Sequence, residues 1–327
     1  MTALPRPGPH GGDAAAMARA LGLNIDQMLD LSQSLNPVAP DPVPVLGRHL
    51  ESLRRYPDPA PATAAVARAM GVDERHVLLT NGGSEAIALV SEEIGGRVAE
   101  PEFSLHPRHG SPWWRSNPHN PSGCLAAPDH HADVWDEAFY PLAMGQWTRG
   151  DDDAVVVGSL TKLLGCPGLR IGYVLVSDSG VAVLDRCRRR QSLWAVNGLA
   201  VSALPDLLAP VDLVAWSARV RTLRGDLEAV LRRHGLEPQR SDASWVLVEA
   251  PGLRARLAPQ GIVVRDCTSF GLPDMARIAV PTPQGLERLD EALSSVGPFD
   301  QRQPTGLELQ QSINPGRSGP RQRKGMS

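Results

Sequence analysis

What this 327-residue chain lacks narrows its function classes before any motif is read. It lacks surplus charge: 33 Lys and Arg stand against 36 Asp and Glu, a formal net charge of −3, so no general pull toward nucleic acid or an anionic membrane is expected. It lacks paired cysteines. Cys124, Cys166, Cys187 and Cys267 lie far apart without a C-x-x-C, which argues against a disulfide framework or a zinc site and fits a reducing compartment. No apolar run approaches the length of a bilayer crossing, and "MTALPRPGPHGGD" has no apolar segment of the secretory type, so the expected location is the cytoplasm. Neither G-x-x-x-x-G-K-[ST] nor a G-x-G-x-x-G at a strand-to-helix turn is present, which removes support for a P-loop NTPase or a Rossmann dinucleotide site. What remains is a chain with 42% hydrophobic residues, enough to bury a large core, and a length that predicts one large domain plus a smaller one.

Along the chain, residues 13–23 and 60–70 have helix-forming composition, with Asp13 placed as an N-cap. "LDLSQSLNPVAPDPVP" reads as a short strand entering a proline-rich extended segment. Residues 76–94 read as a strand, a glycine turn and an amphipathic helix. "DDDAVVVGSL" and "LRIGYVLVS" are buried strands, and a long helical stretch over 180–234 is interrupted near Pro205 and Pro210. The run "RCRRRQ" within it reads as a solvated helix face. "SWVLVEA", "GIVVRD" and "ARIAV" are three further β runs before a closing helix, "PQGLERLDEALSSV". Strands alternating with helices in the first two-thirds predict an α/β fold with a mostly parallel, doubly wound sheet, and the later cluster of strands predicts a small α+β domain. The predicted organisation is an N-terminal arm with part of the small domain over 1–50, a large domain over 51–210, a small domain over 211–297 and a disordered tail over 298–327.

Lys162 stands out. It follows the apolar run "AVVVGSL", where an ammonium is costly unless it is paired or used in chemistry. Lysine in such a place loses its proton readily and condenses with aldehydes. Ser159 and Arg170 flank it in sequence and are able to reach an anion nearby. "TNGGSEAI" at 80–87 opens a helix whose N-terminal amides favour an anion, although a plain tight turn explains the glycines equally well. "SNPHNPSG" at 116–123 is a turn-rich loop, and "VWDEAF" at 134–139 brings two carboxylates to a strand end. A lysine, a serine, an arginine, a glycine–helix turn and an upstream Asp together describe a site for an aldehyde that carries a phosphate, which is pyridoxal 5′-phosphate.

In order, "NGGSEAI", "NPHNPSG", "DEAF", "SLTKLLGCPGLRIGY" and "ARIAV" make the chain, from about residue 10 to about residue 296, resemble the fold-type I pyridoxal-phosphate enzymes of the class I/II aminotransferase superfamily. "HGGD" before a helix and "LDLSQSLNP" look like the threonine-phosphate decarboxylases of cobalamin synthesis. "RRYPDP" is shared with the histidinol-phosphate aminotransferases. The resemblance implies that Lys162 forms a Schiff base with the cofactor and shuttles protons, and that Asp136 pairs with the pyridine N–H. It implies that Asn120 bonds the ring hydroxyl and that Gly83, Ser84, Ser159 and Arg170 hold the cofactor phosphate. Phe103 is the nearest candidate for the aromatic over the ring. Tyr56 would reach the phosphate of a neighbouring subunit, which implies a homodimer with shared sites. Arg277 is expected on the substrate carboxylate, Arg265 on the substrate phosphate, and Asn36 at the substrate.

The chain departs from the family pattern in three places. Between "PEFSLHP" and "NPHNPSG" it is short by most of a strand and a helix. Phe139 stands where a tyrosine often follows "DEA", with Tyr140 displaced by one; phenylalanine there marks the decarboxylase branch. "AVPTPQG" lacks a second arginine soon after Arg277. His106, His109, His119, His130 and His131 have no familiar zinc spacing and read as loop histidines, so no metal is expected. Trp113 and Trp114 read as packing. The expected activity is decarboxylation of L-threonine O-3-phosphate, with a histidinol-phosphate type aminotransferase as the alternative. A catalytically weak cofactor-binding regulator is the alternative from another class. No nucleic-acid or membrane partner is expected.

Overall fold

The computed structural model describes residues 4–297. Its strands are β1 (Leu29–Leu31), β2 (Val77–Thr80), β3 (Trp114–Ser116), β4 (Val134–Asp136), β5 (Val155–Ser159), β6 (Gly172–Leu175), β7 (Trp245–Glu249), β8 (Ile262–Asp266) and β9 (Met275–Ala279). They form two sheets, one ordered β2-β6-β5-β4-β3 and one ordered β1-β8-β9-β7.

In the larger sheet β3, β4 and β5 pair in parallel, while β6 is antiparallel to both β5 and β2. Four of its five strands therefore share one direction and β6 alone is inverted. The mostly parallel expectation holds in direction, and the inversion arises because β6 returns from β5 through the short turn over 160–171 rather than through a crossover helix. The apolar runs in β2, β5 and β6 are continuous because both faces are covered. Side chains alternate: Val77, Leu79, Trp135, Val156, Tyr173 and Leu175 pack toward the helices Ala60–Met70 and Gly198–Leu208. Leu78, Val134, Val155, Val157 and Val174 pack toward Gly82–Ile94 and Val181–Arg190. Pro205 lies inside the helix Gly198–Leu208 rather than ending it.

The smaller sheet buries Val246, Val248, Ile262, Val264 and Ile278 against Leu223, Leu227 and Leu231 of Leu213–Arg233 and Leu289 and Leu293 of Pro283–Val296. β1, from the N-terminal stretch, adds to its edge in parallel with β8. The predicted tail lies outside the described residues. Among the described residues no single helix is long and apolar enough to cross a membrane.

Shared direction is what positions the site. Thr80, Ser116, Asp136 and Ser159 are the last residues of β2, β3, β4 and β5, and β6 begins at the same edge with Gly172, which pairs with both Thr80 and Ser159. Ligands of such sheets sit at the carboxyl ends of the strands.

Candidate active site

A cavity of about 460 Å³ opens at that edge. Lys162 enters it from the helical turn Leu160–Leu163, which Leu160 and Leu163 anchor in the core. The only lysine among the described residues, it has a counterpart in the chain only at Lys324. Its Nζ donates to the Gln33 carbonyl at 3.0 Å and lies 5.8 Å from the Phe139 ring centroid. Desolvation, then the nearby guanidinium groups of Arg277 and Arg170, lower its pKa to about 8, with Asp30 opposing. Asn36 braces this turn: its N–H donates to the Lys162 carbonyl at 3.1 Å and its Nδ2 to the Leu163 carbonyl at 2.9 Å. Its Oδ1 accepts from Val38, so the side chain faces the backbone and not the cavity.

Asp136 is buried at the end of β4. Its Oδ1 accepts the Ala138 N–H at 3.0 Å, and its Oδ2 lies 2.9 Å from His106 Nε2. A carboxylate only accepts, so His106 carries its proton on Nε2. Behind it, His106 Nδ1 is 3.9 Å from Glu102 Oε1 and has no hydrogen bond. Glu102 is fixed by the Ser116 N–H at 2.9 Å and the Ser116 hydroxyl at 2.6 Å. His106 is thus no loop histidine of the shortened segment; it is shut inside, against the Asp136 carboxylate. Nothing in the local spacing of "PEFSLHP" announces this, because the contact joins residues thirty apart.

At the opposite end, Gly83 and Ser84 in the first turn of Gly82–Ile94, Ser159 and Arg170 line the cavity. Arg170 adopts φ +55°, unusual for a side-chain-bearing residue, to turn its guanidinium over Gly82. A Cβ on Gly82, itself at φ +76°, would run into that guanidinium, and one on Gly172 would lie 2.6 Å from the Gly83 nitrogen. These glycines keep open a cradle between amides and an arginine. Asn120 lines the cavity and its Oδ1 accepts from Arg277 Nη1 at 2.6 Å. Arg277 is buried over the Trp245 ring, its Nε has no partner, and burial lowers its pKa. Phe103 lines the cavity and its ring meets those of His10 at 5.4 Å and His106 at 5.7 Å. Phe139 lines it too, packed edge-on against Trp245; Tyr140 is buried outside it and does not replace the missing hydroxyl.

Besides Asn36, two expected residues stand elsewhere. Arg265 does not line the cavity: Nη1 donates to the Gly8 carbonyl at 2.8 Å, and Nη2 to the Pro9 carbonyl and the Ser269 hydroxyl, both at 2.6 Å. Tyr56 is 77% exposed and stacks on Trp194 with centroids 4.4 Å apart, outside the cavity of its own chain. The stretch His10–Gly12, by contrast, forms cavity wall, a placement that the N-terminal sequence did not signal.

Residues 114–293 match the family described as Aminotransferase class I and II. The chain is 26% identical to "Histidinol-phosphate aminotransferase 1" of Dechloromonas aromatica over 343 residues, covering 86% of this chain and 94% of that protein. It is 28% identical to "Threonine-phosphate decarboxylase" of Salmonella typhimurium over 354 residues, covering 88% and 96%. Both alignments run longer than the chain's own 327 residues, so the relatives carry residues it lacks. The fold matches that of the histidinol-phosphate aminotransferase of Sinorhizobium meliloti in complex with pyridoxal 5′-phosphate, with TM-score 0.70 and 17% identity over 86% of this chain and 94% of that one.

The cavity fits that cofactor. An amine lowered to about 8 suits an aldehyde, the glycine cradle under Arg170 suits a phosphate, and the two lie with a fixed buried carboxylate in one space.

Proposed function

The chain belongs to the aminotransferase class I and II family and is a pyridoxal-phosphate-dependent enzyme; from that premise we propose that it decarboxylates L-threonine O-3-phosphate in cobalamin synthesis. When bound, pyridoxal phosphate supplies an aldehyde that condenses with amines and a ring that withdraws electrons from the adjoining carbon. Gly83, Ser84, Ser159 and Arg170 would hold its phosphate, Asp136 its pyridine N–H, and Asn120 its ring hydroxyl. His106 and the Ala138 N–H keep the Asp136 carboxylate in one orientation. Lys162 Nζ, with a pKa near 8, carries a neutral amine in an appreciable fraction of molecules at neutral pH, and is able to accept and return a proton. Arg277 would fork onto the substrate carboxylate, and the orientation it imposes decides whether CO₂ or a proton leaves.

The observation that carries this reading is the meeting of Lys162, Asp136, Arg170 and Arg277 in one cavity whose wall includes the "HGG" arm of the decarboxylase-like pattern. The similarity to the Dechloromonas protein favours a second reading, a histidinol-phosphate type aminotransferase. Tyr56, Leu53, Leu193 and Trp194, all strongly exposed, support a homodimer in which Tyr56 reaches the partner's cofactor phosphate. Mass spectrometry of products from the loaded enzyme with threonine phosphate decides between the reactions. Aminopropanol phosphate formed without a 2-oxo acid is the expected result. Amino transfer that requires the oxo acid would replace the first reading with the second.

A further inference from the structure

Three tryptophan side chains are fully buried: Trp114, Trp135 and Trp245. Trp114 and Trp135 each pack into an apolar core beside the larger sheet, whereas Trp245 belongs to none of the apolar cores among the described residues. Alternation along β7 explains the difference. Val246 and Val248 turn into the core of the smaller sheet, so Trp245 takes the opposite face and shares it with Arg277. Leu247 pairs with Arg277 and Trp245 with Ala279, which leaves indole and guanidinium as diagonal neighbours across the two strands.

What surrounds the indole is the site. Its Nε1 donates to the Pro121 carbonyl at 2.8 Å, in the loop that carries Asn120. Its ring lies beneath the Arg277 guanidinium, 4.8 Å from centroid to Cζ, and meets Phe139 edge-on at 4.7 Å. Arg277 donates from Nη1 to Asn120 Oδ1 at 2.6 Å, and the Phe139 ring centroid is 5.8 Å from Lys162 Nζ. Trp245 therefore touches three parts of the site while standing outside the cavity wall.

Arg277 needs such a support. It is buried, and the structure gives its charge an indole face and the Asn120 oxygen in place of a carboxylate. A cation over an aromatic face is held most strongly where water is excluded. A carboxylate forked by a guanidinium lies in the plane of that guanidinium, so whatever sets the plane of Arg277 sets the plane of its ligand. The Pro121 bond fixes the turn of the indole, the stack fixes the tilt of the guanidinium, and Asn120 fixes its rotation.

We propose that Trp245 is a positioning residue that sets, through Arg277, the plane in which the substrate carboxylate is held, and with it the choice between loss of CO₂ and loss of a proton. This rests on the reading of Arg277 as the partner of the substrate carboxylate, and it holds whichever of the two reactions predominates.

The test uses the enzyme loaded with pyridoxal phosphate and two variants. Trp245→Leu removes the aromatic face; Trp245→Phe keeps a ring but deletes the N–H that meets Pro121. Calorimetric titration compares 3-phosphooxybutyrate, the proposed substrate without its amino group, with isopropyl phosphate, which lacks the carboxylate as well. Neither condenses with an aldehyde. The wild type is expected to prefer the carboxylate ligand by about tenfold to a hundredfold, the range of a hydrogen bond to a charged group. Trp245→Leu should lower that preference by about tenfold, the scale of a desolvated cation–π contact, while isopropyl phosphate binds as before. With threonine phosphate and a 2-oxo acid, the ratio of CO₂ released to amino groups transferred should shift by about tenfold in Trp245→Leu and about threefold in Trp245→Phe. A tryptophan that only fills space would lower the melting temperature and leave both ratios alone; that result in both variants overturns the proposal while the proposed function stands. Should Trp245→Leu fail to take up cofactor, Trp245→Phe decides alone. No carboxylate preference in the wild type removes Arg277 from the carboxylate, and the proposal falls with that reading.

Discussion

One half of the cavity is carried by strand ends and the other by segments with no regular structure, and the two are fixed in different ways. Asp136, Ser159 and the turn bearing Lys162 are set by the ladder of the larger sheet, in which Asp136 pairs with Val157 and Ser159 with Gly172. His10 and Phe103–His106 sit on irregular chain, fixed by guanidinium groups that donate to carbonyls. Arg265 does this for the arm, and Arg108 does it for the carbonyls of Phe103, at 3.2 Å, and His106. A planar fork with five donors suits that task, because irregular backbone leaves carbonyls unpaired.

The largest test of the contrast is Lys162→Ala. Removing the amine should abolish the visible absorbance of the bound cofactor and lower turnover by about 10³-fold or more, since proton transfer alone contributes about 10²–10⁴. Retention of the band would remove Lys162, and with it the functional reading of the strand-end half.

A second test compares two neighbouring carboxylates on that half. Asp136 faces the cavity; Glu137 is fully buried beside it, accepts from the Arg149 N–H at 3.0 Å, and is raised by desolvation to about 7. The native state then binds a proton between pH 4.5 and 7 that the unfolded state has released, so this group weakens folding as pH rises through that window. Glu137→Gln should therefore gain stability relative to the wild type on going from pH 4.5 to pH 8, by up to about 3 kcal/mol. Denaturant unfolding at the two pH values checks it, and a gain independent of pH would show the carboxylate to be well solvated.

The same contrast explains what could be read from the sequence. Asp136 and Ser159 close apolar runs, and Gly83 and Lys162 lie in the turns just beyond such runs, so a strand pattern puts them near a sheet edge, and the structure gathers them in one cavity. The strands other than β3, whose Trp114 reads in sequence only as packing, and the closing helix are legible for the same reason. β6 reads as a strand in sequence, but its reversed direction is set by turn length, which propensity does not report. Arg265 was legible as a basic residue on a strand; that its donors face the N-terminal arm depends on a contact more than two hundred residues away in sequence. Asn36 likewise has its partner in the Lys162 turn. In sequence His106 reads as a loop histidine, because only the folded chain brings it to Asp136.

His106 is where the contrast is most exposed, being carried by the irregular half and acting on the strand-end half. If its task is to orient Asp136, replacement by phenylalanine should preserve packing against Phe103 and Trp114 while deleting the one N–H that meets Oδ2. The expected effect is a kcat lowered by about tenfold with a smaller change in KM, the scale of one hydrogen bond to a charged acceptor. The pH midpoint of the cofactor's visible band should move with it, since an Asp136 free to rotate holds the ring nitrogen less firmly. A purely structural histidine would lower melting temperature and leave the band alone. That outcome would keep the two halves separate, with Asp136 fixed by the Ala138 N–H and its strand; a moved band would show irregular chain reaching in to tune the residue that the sheet positions.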